Sequence, residues 1–211
     1  MNLSFPAQVA GRKRVRLWPP AAHECLHVFP DAHPRARKAQ LDVDDPAGGG
    51  YALGAGLGAP ALDVVLEPGD AVAIPAFWFH HCEALDLSCS LNAFFPSRTA
   101  ALAAEVLAAP RPDGADLRSE LGPDLARRVY ASRYAPLAAA YGALDAGPPP
   151  PPPPGAPADA ARRARDAAVA ALAARDAGVV DVVLAHLLEA WAMGLAGDAA
   201  RVGDLLRDPG R

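Results

Sequence analysis

The sequence predicts a mainly-β domain, a barrel-like pair of sheets, followed by an α-helical C-terminal region. Stretches at 7–18, 61–67 and 87–95 alternate with the two-residue period of half-buried strands. From Pro96 onward the pattern changes to the wider spacing of amphipathic helices. Composition shifts at the same place: most aromatics and all three cysteines lie in the first half, whereas Ala, Arg, Asp and Pro dominate the second.

Residues 7–18 read as two short strands around a turn at Ala10-Gly11-Arg12. In the second, Lys13, Val15 and Leu17 share one face and Arg14, Arg16 and Trp18 the other, and Pro19-Pro20 ends it. Residues 21–60, rich in Pro and Gly, are loop-like: a functional segment, a disordered one or an insertion. Residues 61–67 form a strand, Pro68-Gly69-Asp70 a turn, and Ala71–Ile74 a further strand stopped by Pro75. In 87–95, Ser88, Ser90 and Asn92 point one way, while Leu87, Cys89, Leu91 and Phe95 point the other. A polar file opposite an apolar one suits a barrel that lines a polar pocket.

Helices are expected over 99–108, 123–142 and 158–177, and a fourth carries Val180, Val183, Leu184, Leu187, Leu188, Trp191 and Leu195 as an apolar stripe. The prolines from Pro148 to Pro154 predict a stiff polyproline II linker. The resulting division is a partial barrel at 1–97, a helical extension at 98–147, a linker at 148–157 and a helical region at 158–211. The linker detaches the stripe from the sheets, so either helix–helix packing within the chain or a homodimer through residues 158–196 should cover it.

A net charge of −4 argues against a wholly basic nucleic-acid binder. Two basic clusters, Arg12-Lys13-Arg14 with Arg16 and Arg35, Arg37 and Lys38, read as solvated faces or as phosphate contacts. Cys25, Cys82 and Cys89 are odd in number and widely spaced, which suits reduced thiols in a cytoplasmic or nuclear protein. No apolar run approaches the ~20 residues of a membrane span, and the first residues do not read as a secretory leader.

The segment LEPGDAVAIPAFWFHHCEALDLSCSLNAFF, residues 66–95, carries the chemistry. Together with Gln8-Val9-Ala10-Gly11-Arg12-Lys13, Leu17-Trp18-Pro19-Pro20, His33-Pro34 and the Gln40-x-Asp42-x-Asp44-x-Pro46 run, it resembles the JmjC oxygenases of the cupin superfamily. The resemblance spans about residues 7–97 and implies a double-stranded β-helix, here a partial one. It implies iron(II) as metal, with 2-oxoglutarate and dioxygen in the three positions that a facial His-x-Asp/Glu…His triad leaves open. It makes His80 the distal histidine ligand, with His81 as alternative, and Lys13 the partner of the far carboxylate of 2-oxoglutarate. Asn92, supported by Ser90 and Ser88, lies near the cosubstrate, and Phe77 and Trp78 wall the pocket or simply fill core. Lys13 also stands on an inward file with Val15 and Leu17, where a charge needs a partner.

Within the family, two branches compete: the asparaginyl hydroxylase of hypoxia-inducible factor and the tRNA wybutosine-synthesising hydroxylase. Both imply a macromolecular substrate, a protein side chain or a tRNA base, and no membrane partner. The sequence departs from the family in having no His-x-Asp or His-x-Glu. The resemblance places that pair before Met1, so the expectation is an N-terminally incomplete dioxygenase. The alternative is a catalytically inactive JmjC-like binding protein that uses its helical tail and proline run for partners.

Overall fold

A computed structural model describes residues 2–31, 33–108, 125, 128–137 and 159–195, with only the backbone at 159–162 and 188–195. The chain divides into two compact units. The first comprises residues 1–22, 58–108 and 167–182, and the second 23–57, 109–166 and 183–211.

Five strands build the first unit: β1 (Leu3–Ala10), β2 (Lys13–Trp18), β3 (Leu62–Leu66), β4 (Phe79–Ala84) and β5 (Cys89–Phe95). β1 pairs antiparallel with β5, and β2 is the centre of a second sheet ordered β3-β2-β4. The turn between β1 and β2 therefore passes the chain from one sheet to the other. Gly11 makes this turn with φ +66°, and a Cβ there would fall 2.2 Å from the carbonyl oxygen of Leu87. Only glycine meets both demands.

The expected strand at Ala71–Ile74 is instead a line of isolated bridges, Ser4 to Ile74 and Ala7 to Ala71, along the free edge of β1. Pro75 ends it, having no N–H to continue the ladder. β4 carried no alternating apolar signal, because Phe-His-His-Cys-Glu-Ala is polar on both faces.

Opposed residues of an antiparallel pair share a face. The ladders thus place Lys13, Val15 and Leu17 with Leu62, Val64 and Leu66 of β3 and with His80, Cys82 and Ala84 of β4. This face is the inner one: Val15, Leu17, Leu66 and Ile74 are buried together, with Leu62, Val64, Val72 and Trp78 packed around them. On the outer face, the Arg14 guanidinium donates to both oxygens of Asp63 at 2.8 and 2.7 Å, and Arg16 lies 5.8 Å from the centre of the Trp18 ring. Arg12 pairs with Asp86 at 3.0 Å. Arg12 and Arg14 of the first basic cluster are thus answered by acids of the same unit. Helix Arg98–Ala108 follows β5, and Arg175 of helix Asp159–Arg175 donates to Thr99 Oγ1 at 2.9 Å.

The second unit holds the loop-like stretch, which is packed rather than loose: Leu26, Val28, Phe29 and Leu41 are buried. His27, fully buried, is its hub. Its Nδ1–H donates to the carbonyl of Ser132 at 2.7 Å and its Nε2 accepts the Leu53 N–H at 3.1 Å, which fixes the neutral tautomer. Ser132 belongs to the helical residues 128–137, which contain a π-type turn at Tyr130–Tyr134. The rest of the helix expected at 123–142, apart from 125, lies outside the described residues, as do the linker and the proline run.

Helix Ala177–Leu195 matches the expected apolar helix. Its stripe is covered within the chain at Val183 and Leu187, and Ala185 clusters with Leu125 and Val129 beside Leu184 and Tyr134. The side chains of Leu188, Trp191 and Leu195 lie outside the described residues.

Candidate functional site

Lys13 opens β2, and alternation turns its side chain to the inner face. There its ammonium donates to Ser90 Oγ at 2.5 Å, linking the two sheets across 77 residues of sequence. Ser90 Oγ in turn donates to Gln8 Oε1 at 2.6 Å. Gln8 is 2% exposed, and its amide nitrogen donates to the carbonyls of Ala10 at 2.7 Å and Gly11 at 2.9 Å. Among the described residues no carboxylate pairs with Lys13, so a partly buried positive charge rests on a neutral hydroxyl.

Asn92 stands opposite Pro6, as Ser90 stands opposite Gln8, so both belong to one file of the β1–β5 sheet. Ser88 precedes the strand. His80 stands opposite Leu17 on the inner face, four ladder positions from Lys13, ~13 Å along β2. His81 lies on the outer face, where its Nδ1 is 3.1 Å from the Arg16 guanidinium. Alternation thus separates the two adjacent histidines, and only His80 shares the face of Lys13. Trp78 packs against the apolar cluster and Phe77 is buried, so both serve as core. Phe77 also takes φ +66°, a costly conformation for a bulky residue, at the turn that leads into β4.

Sequence reasoning assigned no role to Gln8 or Cys82. Cys82 lies opposite Val15, between His80 and Lys13 on the inner face. Although its surface is exposed, partial desolvation by neighbouring groups pushes its thiol pKa up, opposed by the Lys13 charge. Alternation from His80 reaches Cys82, and the β1–β5 register sets Gln8 opposite Ser90.

Among the described residues, no group of three or more His, Cys, Asp or Glu could hold a metal ion. His80 alone does not make an iron site, and the described residues do not complete the triad. Lys13 gives one N–H to Ser90 and keeps two further donors that could meet an anion. None of the described helices is long and apolar enough to cross a membrane.

A family model described as cupin-like domain matches residues 4–101. Among curated proteins, the chain is 36% identical over 89 residues to tRNA wybutosine-synthesizing protein 5 of Danio rerio, covering 42% of this chain and 25% of that protein. It is 30% identical over 89 residues to lysine-specific demethylase JMJ31 of Arabidopsis thaliana, covering 42% of this chain and 16% of that protein. To lysine-specific demethylase 8 of Xenopus tropicalis it is 34% identical over 89 residues, covering 42% of this chain and 19% of that protein. The chain therefore spans a quarter or less of the length of these relatives.

Proposed function

We propose that this chain, whose residues 4–101 match a cupin-like domain, supplies the cosubstrate-binding part of a JmjC-type iron(II)/2-oxoglutarate-dependent hydroxylase. The observation that carries the proposal is Lys13, a charge turned into the sheet pair with no carboxylate to meet it among the described residues. A dicarboxylate supplies that partner. Lys13 binds its far carboxylate, Ser90 and Asn92 orient it, and the inner apolar cluster excludes water beside it. His80, on the same face, is the metal-facing residue of the proposal. Since the remaining ligands are not among the described residues, no step through a metal is assigned. The substrate is macromolecular, a tRNA base or a protein side chain, as the names of the relatives divide between tRNA wybutosine synthesis and lysine demethylation.

A second reading, a cupin-like binding protein without catalysis, is kept because no three-ligand group occurs among the described residues. Two measurements decide. Calorimetric titration of the 211-residue chain should detect 2-oxoglutarate binding that Lys13→Ala removes; equal binding by the variant sinks the cosubstrate site. Reading the coding sequence upstream of Met1 then separates the two classes. An in-frame His-x-Asp, with succinate formed from 2-oxoglutarate by the longer protein, supports the hydroxylase, and a stop codon there supports the binding protein.

A further inference from the structure

We propose that Gln8 is a positioning residue that fixes the proton order of a three-member relay, Gln8–Ser90–Lys13, and so aims the Lys13 ammonium at its ligand. The inference rests on reading Lys13 as the anchor of a dicarboxylate. A serine hydroxyl is free to rotate and can present either its proton or a lone pair. Here the choice is made upstream. The Gln8 amide nitrogen faces two carbonyls, Ala10 at 2.7 Å and Gly11 at 2.9 Å, so the amide has one orientation and its oxygen must point to Ser90. The backbone of Gln8 is held as well: its N–H donates to Asp70 O at 2.8 Å and its carbonyl accepts the Gly69 N–H at 2.9 Å. Ser90 can therefore give its proton only to Gln8, and the oxygen lone pair is left facing the ammonium. One N–H of Lys13 is spent on Ser90, and two remain for a carboxylate.

The side-chain amide is also the right group on charge. A carboxylate at position 8 would accept from Ser90 equally well but would face the same two carbonyl oxygens that now accept from the amide. Gln8→Glu should therefore fail to substitute, although it keeps the size and the acceptor.

The test is a coupling measurement on the full chain with 2-oxoglutarate as probe. Gln8→Leu, of similar size, and Ser90→Ala should each weaken binding about fivefold to tenfold, the net worth of one ordinary hydrogen bond. Gln8→Leu placed in the Ser90→Ala background should add less than about twofold, because both remove one relay. Ser90→Thr, which keeps the hydroxyl, should recover part of the binding that Ser90→Ala loses. A Gln8→Leu effect of the same size with and without Ser90 would mean that Gln8 acts by packing alone, and would overturn the inference. A ligand-free readout keeps this separate from the cosubstrate reading. The Lys13 ammonium should give a resolved proton–nitrogen NMR signal in the unliganded wild type and lose it in both Gln8→Leu and Ser90→Ala. Persistence of that signal in the variants refutes the relay. An intact relay in a chain whose 2-oxoglutarate binding ignores Lys13→Ala refutes the cosubstrate reading instead.

Discussion

The backbone N–H of Leu53 points at the unprotonated Nε2 of His27, 3.1 Å away, so protonating that histidine would set two N–H groups against each other. Burial lowers the His27 pKa from its ordinary 6.5, with the Ser132 carbonyl partly opposing, and His33 is lowered by burial and by Arg35. As pH falls, the unfolded chain takes up these protons first. The stability that neutral His27 contributes is therefore complete above pH 6.5 and is lost as pH falls from there toward the folded value. The melting temperature should drop between about pH 7.5 and about pH 5.5, and His27→Gln should lessen that slope by up to ~1.4 kcal/mol per pH unit. An unchanged slope would remove His27 as its origin.

A second limb is expected in stronger acid. The Arg12 N–H and guanidinium hold Asp86 below its ordinary 3.8, and the Arg14 guanidinium does the same for Asp63. Folded-state values that are lowered in this way stabilise above 3.8 and cease to do so as pH falls through them. Asp86→Asn should be less stable than the wild type at neutral pH, and the gap should close in strong acid. Urea unfolding at a series of pH values measures this directly.

Lys13 is expected to be a binding residue that costs the fold something. Lys13→Met keeps the length of the stem, removes a partly buried charge and leaves Ser90 with Gln8 as partner. Its melting temperature should equal or exceed that of the wild type. Its 2-oxoglutarate affinity should fall by ~2 kcal/mol or more, the cost of leaving a desolvated carboxylate alone. Loss of stability together with retained binding would contradict both halves.

Gly11→Ala should destabilise the chain by about 2 kcal/mol or more, because the left-handed φ and the approach of Leu87 O act together. Denaturant midpoints of wild type and variant check it.

The strands at β2, β3 and β5 were legible because their two faces differ in polarity, and the turn at Gly11 because glycine is cheap there. β4 was not, since His80, His81, Cys82 and Glu83 give neither file an apolar signature. Which of His80 and His81 shares the face of Lys13, and the proximity of Gln8 to Lys13, depend on pairing register, which a sequence holds only jointly with its partner strand. The buried hub at His27 was hidden among prolines and glycines, because its partners, Leu53 and Ser132, are 26 and 105 residues away.

The passage from β1 to β2 also limits how this chain can change over time. The pairing with β5 slips once between Gln8 and Ala10, and Gly11 then launches β2 with Lys13 facing inward. Removing or adding one residue between Gln8 and Lys13 would reverse every position of β2. Arg14, Arg16 and Trp18 would face the apolar cluster, and Lys13, Val15 and Leu17 would face outward. Descendants of this sequence can therefore vary the identities of Val9, Ala10 and Arg12 far more freely than the number of residues between Gln8 and Lys13. An alignment gap of odd length in this segment should mark a chain that has given up the Lys13 position altogether.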